Sequence, residues 1–385
     1  MSSVTSERTA WRVIAILSVV SAGAYVGNEA AVYFWDVTGY VGALDTEFPY
    51  RFQEPYPFLY PPTAKHFFTL ARSHLFEFLS IALVAAVGLF LRAFASLNGP
   101  RQWEWLFAIT SMGGLGVVSL LSGNVGNVLN LSVFGTALLA AIRVPMALPL
   151  LPIVVGLGAL IKPQFGVYLG LLPFLERFRG VAMVKVAATG VAVVAVHALY
   201  IGARPVDWQE YTNALFQRTV VEKDFAWGPA GLVKLFSDAN VAGLAAFVAG
   251  LLIVAVLAYM TWWRSTQDGG RPPDAVRVSL VFMVLTFANP RMPPYDVFVA
   301  LLALMVCCVF AARTRELSWV LVVVMAVNLV PWTVANFART PSMYPWWMQN
   351  ILITHLLGFL SLLITLSRGG TRAQPGQTAT GRISV

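Results

Sequence analysis

Long apolar runs separated by short polar segments make up most of the chain. A window of roughly 20 residues finds about twelve of them. They cover approximately residues 11–30, 75–97, 103–122, 126–142, 145–161, 165–176, 181–201, 241–263, 276–289, 297–312, 318–336 and 347–366. Because about 20 apolar residues cross a bilayer as a helix, the pattern predicts an all-α fold: a polytopic integral membrane bundle of about 10–12 spans.

The composition supports one membrane domain. Charged residues are 11% of the chain and hydrophobic residues 58%, whereas soluble domains carry about 25% charged residues. The polar-rich segments 29–73 and 202–240 are too short to be soluble domains. We therefore expect a single domain over residues 1–366, with 29–73 and 202–240 as external loops that carry short interfacial helices. The Gly-, Thr- and Arg-rich tail, 367–385, is predicted to be disordered.

The basic residues predict the orientation. With a cytoplasmic N-terminus, most of the 26 Lys and Arg residues fall in the cytoplasmic loops, and most acidic residues fall outside. This distribution follows the positive-inside rule and places the tail in the cytoplasm. The net charge of +8 is then explained by loops beside anionic lipid, so no nucleic-acid partner is expected.

In this topology the unusual polar motifs all lie at outer ends of spans. They are far apart in the sequence, so their shared position predicts one site at the outer face. The motifs are Trp35-Asp36, Tyr60-Pro61-Pro62-Thr63, the segment 122–127, Lys162-Pro163-Gln164, and the segment 289–296.

Asp36 is the candidate general base. It follows Trp35 in an aromatic segment that is typical of an interfacial helix. A carboxylate at the edge of an apolar environment is suited to take a proton from a hydroxyl. The alternative is that Asp36 only caps or solvates a helix end.

Two cations are candidates for binding a phosphate, namely Lys162 and Arg291. Each stands beside a proline that interrupts apolar sequence. Arg can grip phosphate oxygens with two bonds, and Lys acts as a point charge. The alternative for each is snorkelling to the headgroups.

Two other motifs have local structural meaning. The Gly-Asn string that contains Asn124 and Asn127 predicts a helix break whose freed backbone groups need partners. The prolines after Tyr60 predict a stiff turn, which holds His66 over the site or serves only as a rigid connection.

The motifs together resemble glycosyltransferase family 87. Lys162-Pro163-Gln164-Phe165-Gly166, followed by Leu171-Leu172-Pro173 and Arg177, carries the resemblance. Tyr60-Pro61-Pro62, Gly123-Asn124, Gly126-Asn127, Pro290 and Tyr295-Asp296 follow the family's order, and the likeness spans roughly residues 30–300. Gly123-Asn124 departs from a frequent glycine-glutamine pair. A second departure is that the first loop is unusually rich in proline and acidic residues. Both departures bear on the choice of acceptor.

The resemblance implies a GT-C superfamily enzyme in the cytoplasmic membrane of a bacterium. Such an enzyme moves a sugar, mannose or another hexose or pentose, with inversion from a polyprenyl-phosphate-sugar to a lipid or glycan acceptor of the cell envelope. Its site lies on the external side. Asp36 would be the base, and Lys162, Arg291 and His66 would bind the donor phosphate. The remaining predicted substrate contacts are Tyr60, Asn124, Asn127, Gln164, Tyr295 and Asp296.

No cofactor or metal is expected, although a divalent metal stays open. The alternative function is a multispan flippase for lipid-linked glycans or a small-molecule transporter. Such proteins typically show internal repeats and polar residues at mid-membrane depth. The sequence shows no convincing repeat, and its polar motifs gather at one face.

Overall fold

The computed structural model describes residues 2–28, 34–46, 49–51, 58–97, 115–218, 274–287 and 294–311, with isolated positions between 319 and 334. Within those residues all regular structure is helical and there is no strand, which confirms the all-α prediction. The predicted spans 241–263 and 347–366, the segment 219–240 and the tail lie outside the described residues.

Twelve α-helices are described in these ranges. They are α1 Ser2–Asn28, α2 Trp35–Leu44, α3 Pro62–Ala71, α4 Leu75–Leu97, α5 Leu115–Leu121, α6 Val125–Ala141, α7 Ala147–Ile161, α8 Leu172–Leu175, α9 Arg179–Ala203, α10 Pro205–Phe216, α11 Asp274–Phe287 and α12 Pro294–Ala311. Short 3₁₀ helices cover Pro49–Arg51, Arg72–His74 and Pro163–Leu171.

Two helical segments among the described residues are long and apolar enough to cross a membrane. They are Pro62–Leu97, which joins α3 to α4, and Arg179–Ala203, which is α9. None of the most apolar window of α9 is buried inside the protein. Large side chains such as Val184, Val191 and Leu199 are about 70% exposed on this helix. An apolar helix with this much exposed surface is suited to lipid contact.

Helix α6 is the centre of the bundle. Nearly every residue of α6 is buried, because α4, α7, α11 and α12 surround it. A stack of rings crosses this core: Phe134 lies 5.8 Å from Phe90 and 4.6 Å from Phe282, and Phe282 lies 4.8 Å from Tyr168. Close-packed aromatic side chains hold the helices in fixed positions, so polar groups carried by α6 have defined places.

Two polar segments that the sequence predicts as external loops are attached to each other. Pro61 is extended and Pro62 is the first residue of α3, which confirms the stiff turn predicted there. Two ion pairs join α10 to the segment 29–73, namely Lys65–Asp207 at 3.0 Å and Arg51–Glu210 at 2.8 Å.

Candidate active site

The helical structure is interrupted between α5 and α6, as the Gly-Asn string predicts. Gly123 has φ +68°, a left-handed conformation that favours glycine. The hydroxyl of Ser122 donates to the carbonyl of Ser119 at 2.8 Å and accepts from the backbone N–H of Asn124 at 3.1 Å. These bonds satisfy part of the backbone that the break frees.

Helix α2 docks on this break through the backbone. The N–H of Phe34 donates to the carbonyl of Leu121 at 2.8 Å, and the N–H of Asp36 donates to that of Ser122 at 3.1 Å. A Cβ at Gly123 would lie 2.3 Å from the ring of Phe34, so only glycine permits the approach. Phe34 itself is left-handed, at φ 57°, which costs a non-glycine residue about 1–2 kcal/mol. The docking places Asp36 at the break.

One amide connects the candidate base to the candidate cation. Asn124 precedes α6, and its Oδ1 caps the helix by accepting from the N–H of Gly126 at 2.7 Å. The same oxygen accepts from Nζ of Lys162 at 3.3 Å, while Nδ2 donates to Oδ2 of Asp36 at 3.0 Å. Asp36, Asn124 and Lys162 are 3%, 6% and 8% exposed. A buried amide thus lies between a carboxylate and an ammonium.

Lys162 reaches this position because a helix ends beside it. Helix α7 stops at Ile161, Lys162 is extended at φ −135°, and Pro163 begins a 3₁₀ helix. Its Nζ lies 5.6 Å from the ring centre of Tyr60, whose hydroxyl shares a 2.6 Å hydrogen bond with that of Tyr40. Contact with an aromatic face stabilises a cation that has left water.

Gly126 leaves the space that the ammonium occupies. A Cβ there would lie 2.6 Å from Nζ of Lys162 and 3.6 Å from Oδ1 of Asp296. The ammonium and this second carboxylate therefore meet across Gly126, at most about 6 Å apart by those two distances.

Asp296 has its own buried hydrogen-bond chain. Nδ2 of Asn130 donates to Oδ1 of Asp296 at 2.6 Å, and the hydroxyl of Tyr168 donates to Oδ1 of Asn130 at 3.0 Å. The hydroxyls of Tyr168 and Thr286 lie 2.9 Å apart. Asp296 is only 3% exposed, and a buried carboxylate without partners would cost folding free energy. This chain of hydrogen bonds stabilises the carboxylate and holds it in one position.

The structure therefore brings together Asp36, Tyr60, Asn124, Lys162 and Asp296 of the predicted residues. Asn127 is buried one turn along α6, where its Nδ2 donates to the carbonyl of Ser119. That bond ties α6 to α5 and braces the break.

Other predicted residues lie elsewhere. His66 is exposed on α3 and its ring centre is 6.1 Å from that of Tyr200. Gln164 is exposed in the first turn of the 3₁₀ helix. Arg291 and the side chain of Tyr295 lie outside the described residues. Their roles stay predictions.

Asn130, Tyr168 and Thr286 are functional candidates that sequence reasoning missed. Each is a single polar residue within apolar sequence and belongs to no motif. The available signal was the three-residue spacing of Asn124, Asn127 and Asn130, which puts neighbours on the same side of a helix.

The arrangement suits the transfer of a group to a hydroxyl. A buried carboxylate can accept a proton from a hydroxyl, and an ammonium within the same network can stabilise negative charge on a leaving oxygen. Both groups are held by partners that do not themselves react, so their geometry is set before substrate binds.

Residues 58–289 match the family model described as Glycosyltransferase family 87. The matched range contains Tyr60, Asn124 and Lys162, while Asp36 precedes it and Asp296 follows it. No curated protein and no solved structure matches the chain. Because the match covers more than half of the 385 residues, the chain belongs to glycosyltransferase family 87.

Proposed function

We propose that this glycosyltransferase is a polytopic membrane enzyme of the GT-C type, with residues 1–366 as one domain of about 10–12 spans. It takes a sugar, mannose or another hexose or pentose, from a polyprenyl-phosphate-sugar and transfers it with inversion to a lipid or glycan acceptor. The reaction takes place at the outer face of a bacterial cytoplasmic membrane, with both chain termini inside. The observation that carries this proposal is the Asn124 amide between Asp36 and Lys162, at 3.0 Å and 3.3 Å.

Asp36 acts as the general base. Its carboxylate takes the proton of the acceptor hydroxyl as that oxygen attacks the anomeric carbon of the donor sugar. The bond between that carbon and the phosphate oxygen breaks on the opposite side, which inverts the configuration. The hydrogen bond from Asn124 Nδ2 orients the carboxylate during the attack.

Lys162 binds the donor phosphate. Polyprenyl phosphate leaves with an additional negative charge on the oxygen that had joined it to the sugar. An ammonium near that oxygen stabilises the transition state more than the bound substrate, and so acts mainly on turnover. Arg291 and His66 are proposed as further phosphate contacts.

The lipid nature of the donor is supported by the apolar surface of the protein. Helix α9 exposes apolar side chains along its length, so a prenyl chain can lie against the bundle from within the bilayer. Nucleotide sugars are not available outside the cytoplasmic membrane, so an outward-facing enzyme needs a lipid-borne donor.

The test is transfer by purified protein in nanodiscs, with labelled polyprenyl-phosphate sugars and membrane lipid extracts. We expect Asp36→Asn to lower turnover by about 10²–10⁴-fold, the usual cost of losing a general base. Lys162→Ala should lower it at least about tenfold, which corresponds to roughly 1.4 kcal/mol. Arg204→Ala is the control, since this arginine is exposed at the end of α9 and should transfer normally.

Two results would contradict the proposal. Normal transfer by folded Asp36→Asn and Lys162→Ala proteins would place the chemistry elsewhere. Movement of a labelled lipid across the bilayer without sugar transfer would favour the flippase alternative.

A further inference from the structure

An aromatic cluster that does not include the proposed catalytic residues lies at the outer end of α9. It consists of Tyr50, His197, Trp208 and Tyr211, and is named here the outer aromatic cluster. The ring centres are 6.0 Å apart for Tyr50 and Tyr211, 5.4 Å for Tyr211 and Trp208, and 5.5 Å for Trp208 and His197. Three separate segments contribute these rings, namely the 3₁₀ helix at Pro49–Arg51, α9 and α10.

Three buried polar atoms in this cluster have no hydrogen-bond partner among the described residues. They are the Tyr50 hydroxyl, Nε1 of Trp208 and Nδ1 of His197. Nε2 of His197 lies 3.2 Å from the carbonyl of Ala159, and a carbonyl can only accept. In the neutral ring Nε2 therefore carries the proton and Nδ1 is an acceptor. Buried polar groups are nearly always paired in folded proteins, so three orphans in one cluster point to a bound group.

The orphaned atoms define what that group must offer. An indole N–H needs an acceptor, an imidazole nitrogen needs a donor, and a phenol hydroxyl accommodates either. Burial raises the pKa of Tyr50, and the nearby charge of Asp207 adds to the effect, so the hydroxyl stays neutral and keeps its proton. A ligand with several hydroxyl groups supplies both donors and acceptors.

The charges around the cluster are already paired with each other. Lys65 is 3.0 Å from Asp207, and Arg51 is 2.8 Å from Glu210. A cation engaged by a carboxylate is poorly placed to recognise a phosphate or another anion. The cluster is therefore suited to an uncharged ligand, and its ring faces can pack against the apolar C–H faces of a sugar.

A continuous path of rings joins this cluster to the proposed active site. Phe58 lies 5.7 Å from Tyr50 and 5.5 Å from Tyr60 between ring centres. Tyr60 in turn lies against the ammonium of Lys162, 5.6 Å from Nζ to the ring centre. A ligand held at the cluster would thus lie at one end of this path, with the proposed reacting groups at the other.

We propose that the outer aromatic cluster binds the hydroxyl-rich, uncharged carbohydrate headgroup of the acceptor. This inference rests on the proposed function for the identity of the ligand as acceptor.

Binding can be measured without any transfer. The probes are n-octyl α-mannopyranoside and n-octyl β-glucopyranoside, titrated calorimetrically into full-length protein in nanodiscs, with empty nanodiscs subtracted. Octane-1,2-diol is the matched probe that lacks a sugar ring. The variants are Tyr50→Phe and Trp208→Phe, which remove one polar group each and keep an aromatic ring. Tyr200→Phe is the control, because Tyr200 is a half-buried tyrosine of α9 outside the cluster.

We expect at least one octyl glycoside to bind to the wild type more tightly than the diol. Tyr50→Phe and Trp208→Phe should each weaken that binding by about three- to tenfold, the range for one neutral hydrogen bond, while Tyr200→Phe leaves it unchanged. The melting temperature of Tyr50→Phe should stay equal or rise, because the substitution removes a buried polar atom without a partner. That of Trp208→Phe should fall slightly, because the smaller ring leaves a gap. A purely structural role would leave glycoside affinity unchanged in both variants.

Two results would overturn the inference: both cluster variants bind the glycosides as tightly as the wild type, or the wild type binds the diol as tightly as the glycosides. Water would then be the group that pairs with the three orphaned atoms. Asp36→Asn separates this failure from that of the proposed function, because it should bind glycosides normally while its turnover falls by about 10²–10⁴-fold. A third outcome is that the cluster variants bind glycosides more weakly although the wild type transfers no sugar. That result would support the carbohydrate site and contradict the transferase reaction.

Discussion

The sharpest test of the site is the addition of one methyl group at Gly126. In Gly126→Ala the new Cβ would lie 2.6 Å from Nζ of Lys162 and 2.8 Å from Oδ1 of Asn124. Ordinary contact begins at 3.4 Å, so the ammonium must retreat by about 0.8 Å and the Asn124 oxygen by about 0.6 Å, the differences between that contact distance and the two clashes. The flexible lysine can make this movement without unfolding the helix that carries residue 126.

The size of the effect follows from that displacement. A reacting group misplaced by about 1 Å can cost roughly 10²-fold in rate. Loss of a hydrogen bond to a charged group costs about 1.5–3 kcal/mol. We therefore expect turnover to fall by about 10- to 100-fold, with a smaller change in the KM for the donor. Alanine is the better helix former by up to about 1 kcal/mol, so the protein should stay folded.

The assay is steady-state transfer with a melting curve for each variant. Gly166→Ala is the control, because Gly166 belongs to the recognisable motif but has open space around its Cβ position. The double variant Gly126→Ala with Lys162→Ala should lose less activity than the sum of the two single losses, because both substitutions act in large part through one ammonium. Near-wild-type turnover of folded Gly126→Ala, or additive losses in the double variant, would refute this account of Lys162.

Three further predictions test the network and the topology. Asn124→Ser keeps an oxygen that can cap α6 but removes the amide donor to Asp36, so turnover should fall at least about tenfold; unchanged turnover of the folded variant would mean that residue 124 serves only as a cap. Tyr168→Phe removes a hydroxyl from the chain that holds the second carboxylate and should lower turnover by about three- to tenfold; an unchanged rate would make that chain irrelevant to transfer. In a variant without the native cysteines, an impermeant maleimide should label Gly202→Cys in intact cells and Gly180→Cys only after permeabilisation, because the two positions flank the ends of α9; the reverse pattern would invert the proposed orientation.

The breaks in the helices were predictable because they depend on local chemistry. The glycine-asparagine string that contains Gly123 and the proline after Lys162 both disfavour a continuous helix at those positions. The structure confirms both interruptions. Long apolar runs likewise predicted α4, α6, α7 and α9 close to their described bounds.

The hydrogen-bond partners were not predictable, because they depend on packing between distant segments. Nothing local to Asn130 indicates that its amide donates to Asp296, 166 residues later. The 3₁₀ helix that turns Tyr168 toward this amide was also missed, since the run 165–176 is compatible with an ordinary span. The aromatic content of the segment 202–240 suggested an outer amphipathic helix or a plain connection. It could not show that Tyr211 and Trp208 of α10 pack toward Tyr50.

The attachment of α2 has a consequence for how this enzyme can diverge. Backbone atoms hold the entry to α2, through the carbonyls of Leu121 and Ser122 and the N–H groups of Phe34 and Asp36. Every amino acid except proline brings the same N–H and carbonyl groups to such bonds. Side chains of the first outer loop can therefore be exchanged over evolutionary time while the carboxylate stays in place. With Asp36 as the proposed base, substrate preference and catalytic competence are separable traits, and relatives with very different first loops can keep the same chemistry.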